Sequence, residues 1–412
     1  MKVEINLARL RDDLETLSRF GRRAGGGVTR LPFSQADRRA RDWLAGRMAE
    51  AGLKVRRDAA GNLWGRLDGD GPTVMAGSHL DTVPEGGMFD GALGVLGALE
   101  CLRTIREKTL SHRRPLEMVA FVDEEGAFYS FLGSRACLGL ADPEELAGAA
   151  DLAGRPLAVA MAEAGLDLAR LPEAQRDPAD IGAYLELHIE QGPVLESEGA
   201  SIGIVGSIVG IVNYWLTFTG QAAHAGTTPP ALRRDALLGA AEFALKVEDL
   251  VQPHGRGVAT VGDIKVAPGA FNIVPREARL AFEFRDASPG RLEEMEREFL
   301  ELGHNIARRR DLNFLPRLIS RDEPVQLSEE VGRMLQEEAE ALGLAWRSLD
   351  SGAGHDAQVL ARRTSVGLIF LPSLGGVSHC PEEYSRWPDV EKGTLLLLRG
   401  LLRLAGQEKG DI

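Results

Sequence analysis

The 412-residue sequence has only three cysteines, Cys101, Cys137 and Cys380, scattered and without a CxxC pair. An odd, widely spaced set does not build a disulfide framework and points to a reducing cytoplasm. Positive charge is also short: 48 Lys and Arg against 61 Asp and Glu leave a formal net charge of −13. Such a surface is poorly suited to phosphate backbones, so no nucleic-acid partner is expected. No apolar run approaches the ~20 residues of a membrane span, and no membrane partner is expected. The opening stretch "MKVEINLARLRDDLETLSRF" carries acids from the start and lacks the basic-then-apolar order of an export signal.

What is present reads as an ordinary globular chain, 44% hydrophobic and 26% charged, long enough for two domains. The first half alternates helix-like and strand-like segments. Ser34-x-x-Asp37 is placed to cap a helix running to about Gly52, "TVMAGSHL" and "LEMVAFVDEEG" read as strands, and a helix is expected from about Ala92 to Arg106. "AYLELHIEQG" reads as another strand, giving an α/β layer architecture. From about Val209 the order becomes β-α-β-β-α-β, with one helix expected over "ALRRDALLGAAEFALKVEDLV". After about Asp322 the first pattern resumes. The expectation is a larger discontinuous domain, residues 1–208 and 323–412, interrupted by an inserted unit at 209–322.

In open α/β sheets, ligands gather at the carboxyl ends of the strands. Those ends carry His79, the run Asp123-Glu124-Glu125, and His188 with Glu190. His379 follows "VGLIFLP" after a short loop, and Asp90 lies in the glycine-rich "GSHLDTVPEGGMFDG". A mixed imidazole and carboxylate set suits Zn(II), Mn(II), Co(II) or Ni(II) better than Ca(II), which prefers oxygen alone. With more than four candidate ligands, two ions ~3.5–4 Å apart can share one bridging carboxylate. A neighbouring carboxylate then serves as base, and Glu124 and Glu125 are able to divide those tasks.

The segments "GSHLDTVPEGGMFDG", "DEEGAFYSFLGSRA", "ELHIEQGPVLE", "GQAAHAGTTP", "FNIVP…FEFRD", "SGAGHDA" and "SHCPEE" together resemble the amidases related to the M20 metallopeptidases. The similarity is greatest to the hydantoinase/carbamoylase branch: N-carbamoyl-L-amino-acid hydrolases, allantoate amidohydrolases and β-ureidopropionases. It implies a zinc-peptidase-like α/β/α catalytic domain with a ferredoxin-like lid and dimerisation insert, and a homodimer formed through that insert. It also implies two divalent ions per subunit and a small ureido acid as substrate.

Residue by residue, the resemblance assigns His79, Asp90 and His188 to one ion, and Asp90, Glu125 and His379 to the other, with Asp90 bridging. Glu124 is the implied general base. Asp81, two residues beyond His79 on an extended segment, is the implied partner that orients that imidazole. His188 favours the amidase branch, since peptidase members typically carry a carboxylate there. In the insert, His224 is the implied oxyanion donor, in its own or the partner subunit's active site. Arg285 is the implied clamp on a substrate carboxylate, with Asn272 and Gln191 adding hydrogen bonds. Gly354 would let backbone approach a ligand closely.

Three features depart from the family pattern: "GAFYSF" after the glutamate pair, proline in "TTPP", and Cys380 in "SHCPEE". None removes a ligand or the base. The expected activity is release of ammonia and carbon dioxide from an N-carbamoyl-L-amino acid. Allantoate amidohydrolase, β-ureidopropionase, an M20 aminoacylase or dipeptidase, and an inactive dimeric binding module are the alternatives.

Overall fold

The computed structural model describes residues 3–251 and 257–407. It divides into two compact units, Met1–Gly206 with Gln326–Ile412, and Ser207–Val325.

The larger unit is built on a nine-stranded mixed sheet. From one side inward, its order includes Ile202–Ile208, Val366–Leu371, Ile181–Ile189, Thr73–His79, Leu116–Phe121, Leu63–Leu67 and Lys54–Arg57. The four strands from Val366–Leu371 to Leu116–Phe121 run parallel. Thr73–His79, Leu116–Phe121 and Val366–Leu371 are buried along their whole length, as strands covered on both faces must be. Helices Ala92–Glu107 and Trp387–Leu404 contribute to the main core on one side, where Ala183, Leu185, Leu187 and Ile189 also point. The period-two alternation of a strand therefore sends Tyr184, Glu186 and His188 to the opposite face. Ser34 caps the helix Gln35–Glu50 by accepting from the Asp37 N–H at 3.2 Å.

The smaller unit is an antiparallel sheet in the order Val258–Ala267, Glu277–Asp286, Gly210–Thr219, Asn313–Asp322. Val212, Leu216, Phe218, Leu280, Phe282 and Phe284 alternate onto one face and share a core with residues of the helices Ala236–Val251 and Pro289–Arg309. The first of these helices starts later than the sequence suggests. Pro229 and Pro230 impose extended and turn geometry, a 3₁₀ turn fills Pro230–Leu232, and Asp235 caps the helix by accepting from the Leu238 N–H. Among the described residues, no helix is long and apolar enough to cross a membrane.

Candidate metal centre

The parallel strands deliver the donor groups to one end of the sheet. His79 is the last residue of its strand, His188 the penultimate residue of the next, and Asp123-Glu124-Glu125 follow Leu116–Phe121 after Val122. Asp90 reaches the same place because the loop after His79 folds back on glycine. Gly91 has φ 62°, and a Cβ there would lie 2.5 Å from the His79 ring. Any larger residue would drive the imidazole off its position.

Asp90 stands at the centre. Its Oδ1 lies 3.1 Å from His188 Nε2 and 3.7 Å from His79 Nε2, while its Oδ2 lies 3.2 Å from His379 Nε2. Glu125 Oε1 is 3.6 Å from the same His379 nitrogen, and Glu124 Oε2 is 3.7 Å from His79 Nε2. Ligand atoms thus cluster as His79, Asp90 and His188 on one side, and Asp90, Glu125 and His379 on the other. One carboxylate shows one oxygen to each cluster.

Three observations fit a divalent cation in these clusters. First, His79 donates from Nδ1 to the Asp81 carbonyl (3.0 Å) and His188 from Nδ1 to the Ile189 carbonyl (2.9 Å). Each ring therefore turns its Nε2 toward Asp90, with the other nitrogen already held. Second, Glu125 Oε1 and Asp81 Oδ1 are buried without a hydrogen-bond partner; a bare buried acceptor is costly unless a cation compensates it. Third, the pocket is electrostatically overloaded. Burial, and then the charges of Glu125, Asp356, Asp81 and Asp90, push the Glu124 carboxyl well above the ordinary range. Burial, followed by Asp90 and Asp81, does the same to Glu125. Burial opposes charge on His188, yet contact with Asp90 pushes its pKa up to about 9. So much negative charge captures a cation, whether proton or metal.

Some expectations are altered at this site. Asp81 meets His79 through its backbone carbonyl, not its carboxylate, in the loop that begins where the strand ends at His79. The Asp81 carboxylate instead accepts from the Glu125 N–H at 3.2 Å. Glu190 is turned away from the donor set, since its carboxylate accepts from the N–H groups of Val194 and Leu195 at the start of a short helix. Gln191 Nε2 lies 3.2 Å from both Asp90 Oδ2 and His379 Nε2, among the ligand candidates themselves. At Gly354 the neighbour that forbids a side chain is Phe131, whose ring carbon would lie 2.7 Å from a Cβ. The tight fit of that glycine is thus already explained by packing.

Residues 75–403 match Peptidase family M20/M25/M40. The chain belongs to that family. It is 41% identical over 405 residues to an N-carbamoyl-L-amino acid amidohydrolase of Geobacillus stearothermophilus, covering 97% of this chain and 99% of the relative. It is 36% identical over 405 residues to an allantoate amidohydrolase of Escherichia coli, covering 97% and 98%. A solved amidase of the hydantoinase/carbamoylase family from Burkholderia multivorans has a TM-score of 0.91 at 33% identity, covering 99% of this chain and 100% of that one. Within M20, the chain falls in this amidase branch and is a hydrolase of carbon–nitrogen bonds in linear amides. The family is metal-dependent, and the clusters around Asp90 are this member's candidate donors.

The smaller unit of this M20 amidase carries His224, Asn272 and Arg285. Ala223–His224 pairs with Ile273–Val274 in a two-stranded ribbon, so His224 and Asn272 share one tip. The Gly226 and Thr227 N–H groups point to His224 Nδ1 at 3.0 and 3.3 Å, which leaves the neutral ring's proton on Nε2 as a donor. Arg233, which no sequence pattern marked, ties this loop together by donating to the Ala225 and Thr228 carbonyls. Arg285 lies on the sheet face away from the helices and donates from Nε to Glu283 at 2.8 Å.

Sequence reasoning also missed a buried polar group behind His188. Glu186 accepts from Ser78 Oγ (2.7 Å), Tyr184 Oη (3.2 Å) and the Ala357 N–H (2.9 Å), and the His355 ring lies 4.6 Å from that of His188. The alternation in "YLELH" was the available signal, because it puts Tyr184, Glu186 and His188 on one face. Asp123 was read only as part of an acidic run. It is fully buried with φ 56°, and its carboxylate accepts from the Phe128 and Tyr129 N–H groups. That contact coils the loop holding Glu124 and Glu125.

Proposed function

We propose that this M20 amidase hydrolyses the carbamoyl C–N bond of N-carbamoyl-L-amino acids, releasing the free amino acid, carbon dioxide and ammonia. The observation that carries the reading is Asp90, with one oxygen facing His79 and His188 and the other facing His379 and the Glu125 cluster. That arrangement suits two divalent ions, Zn(II) or alternatively Mn(II), Co(II) or Ni(II), with Asp90 as their shared ligand. Bound ions would supply Lewis acidity toward the scissile carbonyl and the attacking water.

The chain's own groups supply the remainder. Glu124 takes a proton from the attacking water and returns it to the leaving nitrogen. His79 and His188 are held in orientation by backbone carbonyls, so no reorganisation is needed as the reaction proceeds. His224 donates its Nε2 proton to the developing oxyanion. Arg285 grips the substrate carboxylate, and Asn272 and Gln191 each donate a further hydrogen bond to the substrate. The functional form is a homodimer associated through the smaller unit, working in the cytoplasm, where free Cys101, Cys137 and Cys380 stay reduced.

The choice of substrate follows the 41% identity to an N-carbamoyl-L-amino acid amidohydrolase, against 36% to an allantoate amidohydrolase. Ammonia release from N-carbamoyl-L-amino acids, N-carbamoyl-β-alanine and allantoate, with N-acetyl amino acids as controls, tests it. The expected result is that kcat/KM is highest for an N-carbamoyl-L-amino acid and that the N-acetyl compounds are inert. Preference for allantoate would move the enzyme to that second reading, and turnover of only the N-acetyl compounds would overturn both.

Arg285→Lys keeps a cation beside Glu283 but loses the planar two-pronged donor. KM for N-carbamoyl acids is expected to rise about tenfold, equivalent to ~1.4 kcal/mol, with kcat changed less. Unchanged steady-state kinetics would remove Arg285 from the substrate site. Stability should hardly move, because a partly exposed pair of this kind contributes little.

A further inference from the structure

We propose that Glu383 is a positioning residue that sets the separation of the two halves of the metal centre. The proposal rests on the binuclear reading above and concerns a residue that neither binds an ion nor touches substrate in that reading.

Glu383 lies four residues beyond His379 and is only 4% exposed. Its Oε1 accepts from two consecutive backbone N–H groups, Phe89 at 3.0 Å and Asp90 at 3.1 Å. Its Oε2 accepts from Ser378 Oγ at 2.7 Å. One carboxylate therefore joins the loop of the bridging aspartate to the loop of His379, which are almost 300 residues apart in sequence. Ser378 Oγ is also 3.4 Å from Gln191 Nε2, which in turn lies 3.2 Å from Asp90 Oδ2. The connection closes into a ring: Asp90 backbone, Glu383, Ser378, Gln191, Asp90 side chain.

Two backbone features show that the fold makes room for this contact. A Cβ on Gly87 would lie 2.0 Å from Glu383 Oε1, so the Asp90 loop can approach the carboxylate only with glycine there. His379 has φ 58°, a left-handed conformation that a non-glycine residue keeps only where its surroundings hold it. The loop that must be held there is anchored on one side by the Ser378–Glu383 bond.

A carboxylate serving folding alone would affect stability and metal binding in proportion. A positioning carboxylate affects the second ion and the coupling between ions even where the fold is intact. The test compares wild type, Glu383→Ala, Glu383→Gln and Ser378→Ala as full-length proteins loaded with Mn(II). Metal equivalents are measured by titration, the spin-coupled Mn(II) pair by electron paramagnetic resonance, and folding by circular dichroism and Tm.

Glu383→Ala is expected to retain the wild-type dichroism spectrum, bind its second equivalent about 10–100-fold more weakly, and lose the coupled signal. Glu383→Gln should recover most of both. Its amide oxygen still accepts from Phe89 and Asp90, and its NH₂ can donate to Ser378 Oγ. Ser378→Ala breaks only one arm and should weaken the second equivalent by a smaller factor, which keeps the test decisive if the Glu383→Ala protein does not fold. Wild-type affinity and coupling in the Ala variants overturn the proposal, as does a loss in Glu383→Gln equal to that in Glu383→Ala. A wild-type enzyme that binds fewer than two equivalents fails the binuclear reading instead, a result separate from any difference among the variants.

Discussion

Asp90→Asn is expected to abolish the enzyme's ability to hold two ions and to lower kcat/KM on the order of 10³-fold or more. The reasoning starts from geometry: Oδ1 serves the His79 and His188 side, Oδ2 the His379 side, and among the described residues Asp90 is the carboxylate shared by the His79–His188 cluster and the Glu125–His379 cluster. An amide keeps the size of the side chain and the Asp90 N–H bond to Glu383, so the loop is retained while the shared negative oxygen pair is lost. Several kcal/mol of transition-state stabilisation depend on such ions, and each ~1.4 kcal/mol is a factor of ten in rate. Elemental analysis of the purified variant together with steady-state kinetics checks this. Retention of two equivalents with activity within tenfold of wild type would show that Asp90 is not the bridge.

Glu124→Gln should behave differently, leaving metal content unchanged while kcat falls by about 10²- to 10⁴-fold, the usual worth of a general acid–base group. Glu124, buried, and Glu125, partly buried, are adjacent in the same charged pocket, yet they face different partners. Glu124 Oε2 is beside His79 Nε2, and Glu125 Oε1, without a hydrogen-bond partner, is beside His379 Nε2. Glu125→Gln is the matched control and should lose metal first. If Glu124→Gln loses the ion and Glu125→Gln keeps it, the two roles are exchanged.

Much of the larger unit was legible because its signals are local. Largely apolar runs marked Val366–Leu371 and Leu116–Phe121, Ser34 marked a helix start, and glycines marked the loop after His79. The late start of the helix at Ala236 was not legible from apolar spacing, because the 3₁₀ turn at Pro230–Leu232 and the Asp235 cap interrupt a periodic pattern that reads on from Ala231. Gly354 was read as making room for a ligand, whereas its close neighbour is Phe131, more than 200 residues earlier, which nothing in the local sequence announces.

The sequence by itself determined the chemical types at the strand ends: imidazole at His79, His188 and His379, carboxylate at Asp90, Glu124 and Glu125, and glycine where the chain must turn beneath His79. These follow from residue identity and short-range spacing. Only the tertiary structure decided which oxygen of Asp90 faces which imidazole, that Asp81 reaches His79 through its carbonyl, and that Glu383 joins two distant loops. Such pairings depend on sheet order and on where loops land after the strands have stacked. Apart from the local contacts of His79 with Asp81 and Asp90, they bring together residues separated by about 100 to almost 300 positions, over which sequence periodicity carries no information.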